Sequence, residues 1–423
     1  MDASAEGSSR RQAALIFVFI TVALDMIALG VIGPVFVPLV EQFLHGDVRR
    51  AAGVVGVFGT VFAIMQFGWA PFLGVLSDRF GRRPIIVLSN LGMAADYVVM
   101  ALAPNLAWLL IGRVVSGITA ANATAASAYV SDVTTPEKRA GAFGMIGAAF
   151  GLGFVLGPAL GGLCGQVDPR LPFWVAGGLS LLNGLYGALV LPESLARANR
   201  ATRFAWGKAN PLGALRLLRR HRDLSMLGLV TFASSLAGAV MPSTWVLYVT
   251  YRYHWAPGAT GISLAVLGIT SMIAQVLVIG RFVKRFGERA SLFAGIAFGA
   301  VGLIACGLAV NGWWFATGFV GLCLWGLAPA AGQAIMTRHV GPDEQGELQG
   351  AIGSIRGLAM VFGPGIFTTV FAIGIEHDLP GAAWYLGAAL LIVAVLPALR
   401  EAGVAPKEEA AEGVGGFAVI RGK

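Results

Sequence analysis

Apolar runs long enough to cross a bilayer follow one another along the whole chain, at about residues 13–40, 51–73, 85–103, 108–130, 140–164, 173–191, 224–249, 258–282, 290–309, 312–336, 347–373 and 381–399. A spanning helix needs roughly 20 mostly apolar residues. Water is absent from the hydrocarbon core, so every backbone polar group there must bond within its own segment, and runs of this kind form helices. The predicted fold is an all-α membrane protein of 12 transmembrane helices, with no soluble domain left over. Charged residues make up 12% of the chain, about half the usual share of a soluble domain. That leaves too little polar surface for the chain to dissolve.

Arg10 and Arg11 precede the first run in the manner of a secretory signal, but the run is too long for a signal core and lacks a clear small-residue cleavage site. A retained first helix is expected. Cys164, Cys306 and Cys323 all lie inside apolar runs, without metal-ligand spacing or a disulfide framework. The net charge of +8 raises the question of nucleic acid. Its distribution answers it: 24 of the 30 Lys and Arg lie at the termini, in the even-numbered links and in the central connector, against four (Arg49, Arg50, Arg170, Arg252) on the other side. Basic residues accumulate on the cytoplasmic side, so both termini are expected in the cytoplasm and the excess is topological.

An offset of 206 residues relates the two halves. It carries the stretch from Gly74 to Arg83 onto that from Gly280 to Arg289, Thr135-Pro136-Glu137 onto Gly341-Pro342-Asp343, Gly144 onto Gly350, and Gly157-Pro158 onto Gly363-Pro364. Such internal repeats are common in transporters. The expected domains are two six-helix bundles, 1–191 and 223–399, joined by a cytoplasmic connector, 192–222, and followed by a cytoplasmic tail, 400–423.

The loop with Gly74, Asp78, Arg79, Gly81, Arg82 and Arg83 resembles the signature loop of the major facilitator superfamily. Gly144, Gly153, Gly157, Pro158, Gly161 and Gly162 in the fifth run match the glycine-proline pattern of its drug/proton antiporters. The first run, from Asp25 through Gly30, Pro34 and Pro38, resembles the twelve-helix drug antiporters, and the third, Asp96 to Ala101, the tetracycline efflux proteins. The resemblance implies the major facilitator fold and a conformational role for these loop and glycine residues. It also implies that Asp78 faces the N-terminal end of the eleventh helix, near Glu347–Gly350, where a helix dipole stabilises an anion. From the residues themselves, Gly81 permits a tight turn, Gly153, Gly157 and Gly161 form a smooth stripe for close helix packing, and Pro158 bends it.

Four formally charged residues fall well inside the runs: Asp25, Asp96, Arg113 and Arg356. Each costs roughly 2.5–3.5 kcal/mol at a helix centre, and such residues usually face a cavity and carry function. Arg113 opens a stretch, Arg113-Val-Val-Ser-Gly117, that resembles the family's proton-transfer pattern. Burial and a nearby arginine act in opposite senses on a carboxyl's charge, which suits Asp25 and Asp96 to proton coupling with Arg113. A structural ion pair between Asp25 and Arg113 is the competing reading. Asp96 is also a candidate for holding a cationic substrate, with Arg356 and the amides Gln66, Asn90, Asn122, Gln275 and Gln333 as further substrate contacts or as bonds between helices.

Several tetracycline antiporters carry a histidine on the eighth helix and an acid on the ninth. This chain has Ser271 at the first place and no acid from Ala290 to Val310. The five histidines do not cluster, and no nucleotide-binding loop is present. These absences argue against an enzyme, and the resemblance implies a proton-coupled antiporter of the inner membrane, exporting tetracycline as a chelate with a divalent cation such as Mg2+. Neither a bound cofactor nor a resident metal is expected, and a monomer is. The alternatives are a multidrug antiporter of broader range and a metabolite/proton symporter; the complete glycine-proline pattern argues against the latter.

Overall fold

A computed structural model describes residues 3–120, 122–135, 138–202, 210–220 and 222–402, with side chains from Leu15 to Leu396 apart from 122–123, 140, 219, 222–223 and 342. Pro136, Glu137, Arg203, Lys208, the side chain of Asn122 and the tail beyond 402 lie outside the described residues.

The chain runs through α1 (Ala3–Phe43), α2 (Val48–Phe80), α3 (Arg82–Ala101), α4 (Leu106–Thr119), α5 (Asn122–Val133), α6 (Arg139–Val167) and α7 (Leu171–Leu189). After the connector, with its short α8 (Arg216–Arg220), come α9 (Arg222–Gly238), α10 (Val240–Tyr253), α11 (Pro257–Ile273), α12 (Gly280–Leu308), α13 (Gly312–Leu324), α14 (Leu327–Arg338), α15 (Gln345–Glu376) and α16 (Ala382–Ala402). Among the described residues nine helical stretches are long and apolar enough to span. One of them, Pro257–Leu308, is two crossings: a π-helical segment joins α11 to α12, and α12 turns at Gly287, where φ is 80° and ψ is 169°. With α7 and Ala382–Leu396 these make twelve crossings; α4–α5, α9–α10 and α13–α14 each form one.

Local chemistry fixes where helices begin. The side chain of Asp47 caps α2 by accepting from the Arg50 amide, Asn105 caps α4 through the amides of Ala107 and Trp108, and Asn311 caps α13 through Trp314. Each occupies the N-cap and satisfies backbone donors that the first turn leaves open.

Within each half the helices pack on one another; the halves meet chiefly through α2 against α15 and α6 against α11. The two contacts repeat one design. On α6, a Cβ at Gly162 would lie 2.6 Å from the Pro257 oxygen and 3.1 Å from the Gly261 Cα of α11. On α15, Pro364 reaches within 2.8 Å of a Cβ built at Gly59 of α2, and Thr368 fills the space over Gly56. Pro158 and Gly162 are carried onto Pro364 and Thr368 by the 206-residue offset, so the repeat read in the sequence is also the symmetry of the interface. Both crossings lie toward the end opposite the basic loops, where Arg49 and Glu376 also form an ion pair across the halves. Toward the basic end the faces are parted: α5 packs chiefly on α1, α2, α3 and α6 of its own half, and α14 on α9, α12 and α15 of the other.

Candidate transport site

The acid of α1 is met from α7. Asn183, fully buried, donates its amide to the Asp25 carboxylate at 2.8 Å and to the Thr21 carbonyl at 2.9 Å. Nothing in the sequence reading singled out Asn183, although an asparagine within an apolar run carries the signal that marked the other amides.

The acid of α3 is met from α4. Asp96 is 1% exposed, and its Oδ2 accepts from the hydroxyl of Ser116, inside the Arg113–Gly117 stretch. Its Oδ1 has no hydrogen-bond partner among the described residues, nor does the buried hydroxyl of neighbouring Tyr97. Gly112 allows this approach: a Cβ there would sit 2.8 Å from Oδ1. Arg113 lies over the rings of Phe36 and Phe62, at 4.8 and 5.6 Å, and donates to the Met100 sulfur at 3.2 Å, while its Nε is buried without a partner. Cation–π contact eases the burial of a guanidinium. Asp25, Asp96 and Arg113 all act electrostatically on Tyr97, so one interior region of the first half holds all three.

The remaining candidates scatter. Gln66 is half-buried on α2, its backbone N 3.3 Å from a Cβ built at Gly117 of α4, and Asn90 is wholly buried beside Gly184 of α7. Gln275 is exposed on the π-helical segment. Ser271, one turn earlier, lies 3.2 Å from the Cys323 sulfur. In the second half Gln333 of α14 donates to Gln349 of α15 at 3.2 Å, and Gln333 and Arg356 line one cavity.

The basic loop is held from three sides. Gly81 has φ 107°, and a side chain there would collide with Glu193. Arg82 pairs with Asp78 at 2.5 Å and with Asp132 at the end of α5 at 3.1 Å, and it donates to Ser77 at 2.6 Å. Glu193 accepts from the Arg82 amide at 2.9 Å and pairs with Arg200 at 3.5 Å. Arg83 closes the end of α7 by donating to the carbonyls of Gly187 and Ala188; Arg79 lies exposed over Phe80, and a Cβ built at Gly74 would lie 3.8 Å from Thr124. Asp78 thus pairs inside its own loop in this conformation, not with the start of α15, because the halves are parted there. The connector has that place: Ala214 contacts Gly350, and Ser354 donates to the Pro211 carbonyl. Asp132, Glu193 and Arg200 were not anticipated as members of this network.

The glycine-proline helix has two working faces. Gly153, Gly157 and Gly161 lie against Met26, Gly30 and Val31 of α1, whereas Gly162 lies against α11. Gly144 faces open space.

Two related helical bundles carrying the buried Asp96, the half-buried Asp25 and Arg113 and the exposed Arg356 within their membrane crossings, with the halves joined at one end and parted at the other, define a membrane transporter and not an enzyme. The family model of the Major Facilitator Superfamily matches residues 18–364 and 227–421. The chain is 39% identical over 387 residues to the class C tetracycline resistance protein of Escherichia coli, covering 92% of this chain and 96% of that protein. It is 36% identical over 393 residues to the class G protein of Vibrio anguillarum, covering 92% and 98%. The crystal structure of the human organic anion transporter MFSD10 (TETRAN) shares the fold, with a TM-score of 0.70 and 23% identity over 92% of this chain and 99% of that one. The chain belongs to the Major Facilitator Superfamily and, within it, to the family of tetracycline resistance proteins.

Proposed function

We propose that this chain is a proton-coupled antiporter that exports tetracycline, carried as a chelate with a divalent cation such as Mg2+, and so confers resistance to the drug. The observation that carries the reading is the arrangement of Asp96: a carboxylate buried in the membrane interior, bonded to Ser116 of the Arg113–Gly117 stretch and left with one oxygen free of partners among the described residues. A buried acid with a free oxygen accepts either a proton or a cationic ligand. A proton arriving there or at Asp25 loosens the hold on the drug cation and favours its release, and loss of the proton restores the site. The halves alternate about this interior, one end opening as the other closes. With the basic end in the cytoplasm of an inner-membrane protein, both termini are cytoplasmic, and the conformation described faces inward. The protein works as a monomer, with residues 1–191 and 223–399 as the moving bundles.

Everted vesicles with an imposed pH gradient test the reading. Added tetracycline releases protons from vesicles carrying the wild-type chain, and Asp25→Asn together with Asp96→Asn abolishes the response. No release with wild type, or undiminished release with the double variant, refutes it.

One observation favours a broader range of drugs. Ser271 is occupied with Cys323, and no acid stands between Ala290 and Val310, so the second half lacks two polar handles that several tetracycline antiporters carry. A drug-sensitivity panel in an efflux-deficient host separates the two: resistance confined to tetracyclines supports the narrower activity.

A further inference from the structure

Arg356 is the charge that the coupling scheme leaves unused. It lies 11 residues into α15, deep in the second half, yet its side chain remains exposed. Among the described residues no ion-pair or hydrogen-bond partner meets it, although a charge at this depth costs roughly 2.5–3.5 kcal/mol and is normally paired or turned toward a cavity. Arg356 takes the second course. It lines a cavity enclosed by α9, α14 and α15, with one wall of α12. The other polar groups there are Gln333 and the hydroxyls of Thr231, Ser234 and Ser235, while Leu227, Leu292 and Ile352 are among the apolar lining residues. Thr231 is bonded back to the Leu227 carbonyl and Ser234 accepts from the Trp325 indole at 3.1 Å, so these side chains are held in place without a ligand. Gln333, tied to Gln349, is held likewise.

We propose that this cavity is an oxyanion subsite, in which the Arg356 guanidinium and Gln333 take a delocalised anionic oxygen edge, a carboxylate or an ionised β-dicarbonyl, of an amphipathic ring system. The chemistry follows from the donors. A guanidinium offers two parallel N–H groups matched to paired oxygens, the hydroxyls surround it, and the cavity's volume of about 30 Å³ has room for an oxyanion edge, with the ring left outside. The in-membrane acids, Asp25 and Asp96, lie in the first half, and the partnerless cation lies in the second. A ligand spanning the interior is therefore best matched when it is a zwitterion, its cation toward the first half and its oxyanion toward the second. This rests on the transport reading above and deepens it: the divalent cation of the chelate is held on the phenolic diketone edge of tetracycline, and Arg356 would read the separate ionised β-tricarbonyl edge.

The test uses the full-length chain in proteoliposomes, with equilibrium binding and initial transport rates for tetracycline and for 4-dedimethylaminotetracycline, which keeps the oxygen edge and lacks the ammonium. Loss of a hydrogen-bonded charge weakens binding about tenfold to a hundredfold. Arg356→Gln is expected to weaken both ligands to that extent, raising KM more than it lowers the maximal rate. Arg356→Lys, which keeps the charge without the fork, falls between. Asp96→Asn is expected to weaken both ligands, because both keep the chelated cation. Gln333→Leu, which leaves the charge intact, gives a smaller loss for both ligands and serves if the arginine variants do not fold. If wild type binds no tetracycline, the transport reading and the subsite fall together. If wild type binds and folded Arg356→Gln, or Gln333→Leu in its place, binds both ligands unchanged, the subsite alone is overturned.

Discussion

Gly144 and Gly157 belong to one sequence pattern, and the structure separates them. A Cβ at Gly157 would lie 2.6 Å from the Gly30 Cα and 2.9 Å from both the Gly30 carbonyl carbon and the Ile27 oxygen, all of them backbone atoms of α1. Carbon atoms pack at about 3.5–4.0 Å, so Gly157→Ala forces α1 and α6 apart by roughly 1 Å along most of their contact, because neither backbone can yield locally. Overpacking of this kind costs about 1–3 kcal/mol, reduced by the gain of about 1 kcal/mol from exchanging Gly for Ala in a helix. Gly144→Ala keeps that gain and meets nothing. Thermal or denaturant unfolding of the two purified variants in mixed micelles should place Gly157→Ala below wild type and Gly144→Ala at or above it. Destabilisation by Gly144→Ala equal to that by Gly157→Ala would refute the packing account and leave the pattern as an undivided unit.

Three further outcomes follow from particular contacts. Gly287→Ala meets no neighbour and carries only the backbone strain of φ 80° and ψ 169°, a region essentially confined to glycine, on the order of 1–3 kcal/mol, whereas Gly81→Ala at φ 107° adds a collision with Glu193. Unfolding midpoints should fall further for Gly81→Ala, and equal losses would remove Glu193 from the loop's support. Arg49→Glu or Glu376→Arg alone breaks the ion pair across the far end; an exposed pair is worth about 0.2–1 kcal/mol, so the outward-open population rises by up to about fivefold. Faster labelling of Thr60→Cys by an impermeant maleimide reads this, and restoration in the double charge swap checks it. Asn183→Leu strips Asp25 of its amide donor; drug-induced proton release should shift along the pH axis while Asp96→Asn sensitivity is retained, and an unshifted profile would place Asp25 outside the coupling.

The fold was legible because the bilayer leaves few choices. Run length, charge side and the 206-residue offset each constrain a property of whole segments, and none depends on which way a side chain turns. The first helix begins earlier than its apolar run, and three crossings are broken into pairs of helices, but no crossing was displaced. Helix rotation is what the site depends on, and there sequence proximity misleads. Arg113 and Ser116 stand one turn apart on α4, and the sequence set Arg113 with both Asp25 and Asp96. In the structure Ser116 serves Asp96, and Asp25 is served by Asn183, 158 positions away. Asp132 and Glu193 escaped notice for the same reason: an acid at the end of a helix reads as ordinary surface until the fold sets Arg82 beside it. The consequence reaches the mechanism. Asp25 is met by a neutral donor of α7 and Asp96 by one of α4, so protonation of each acid bears on a different helix. Two acids met from two helices allow protonation to be coupled to movement of both α4 and α7.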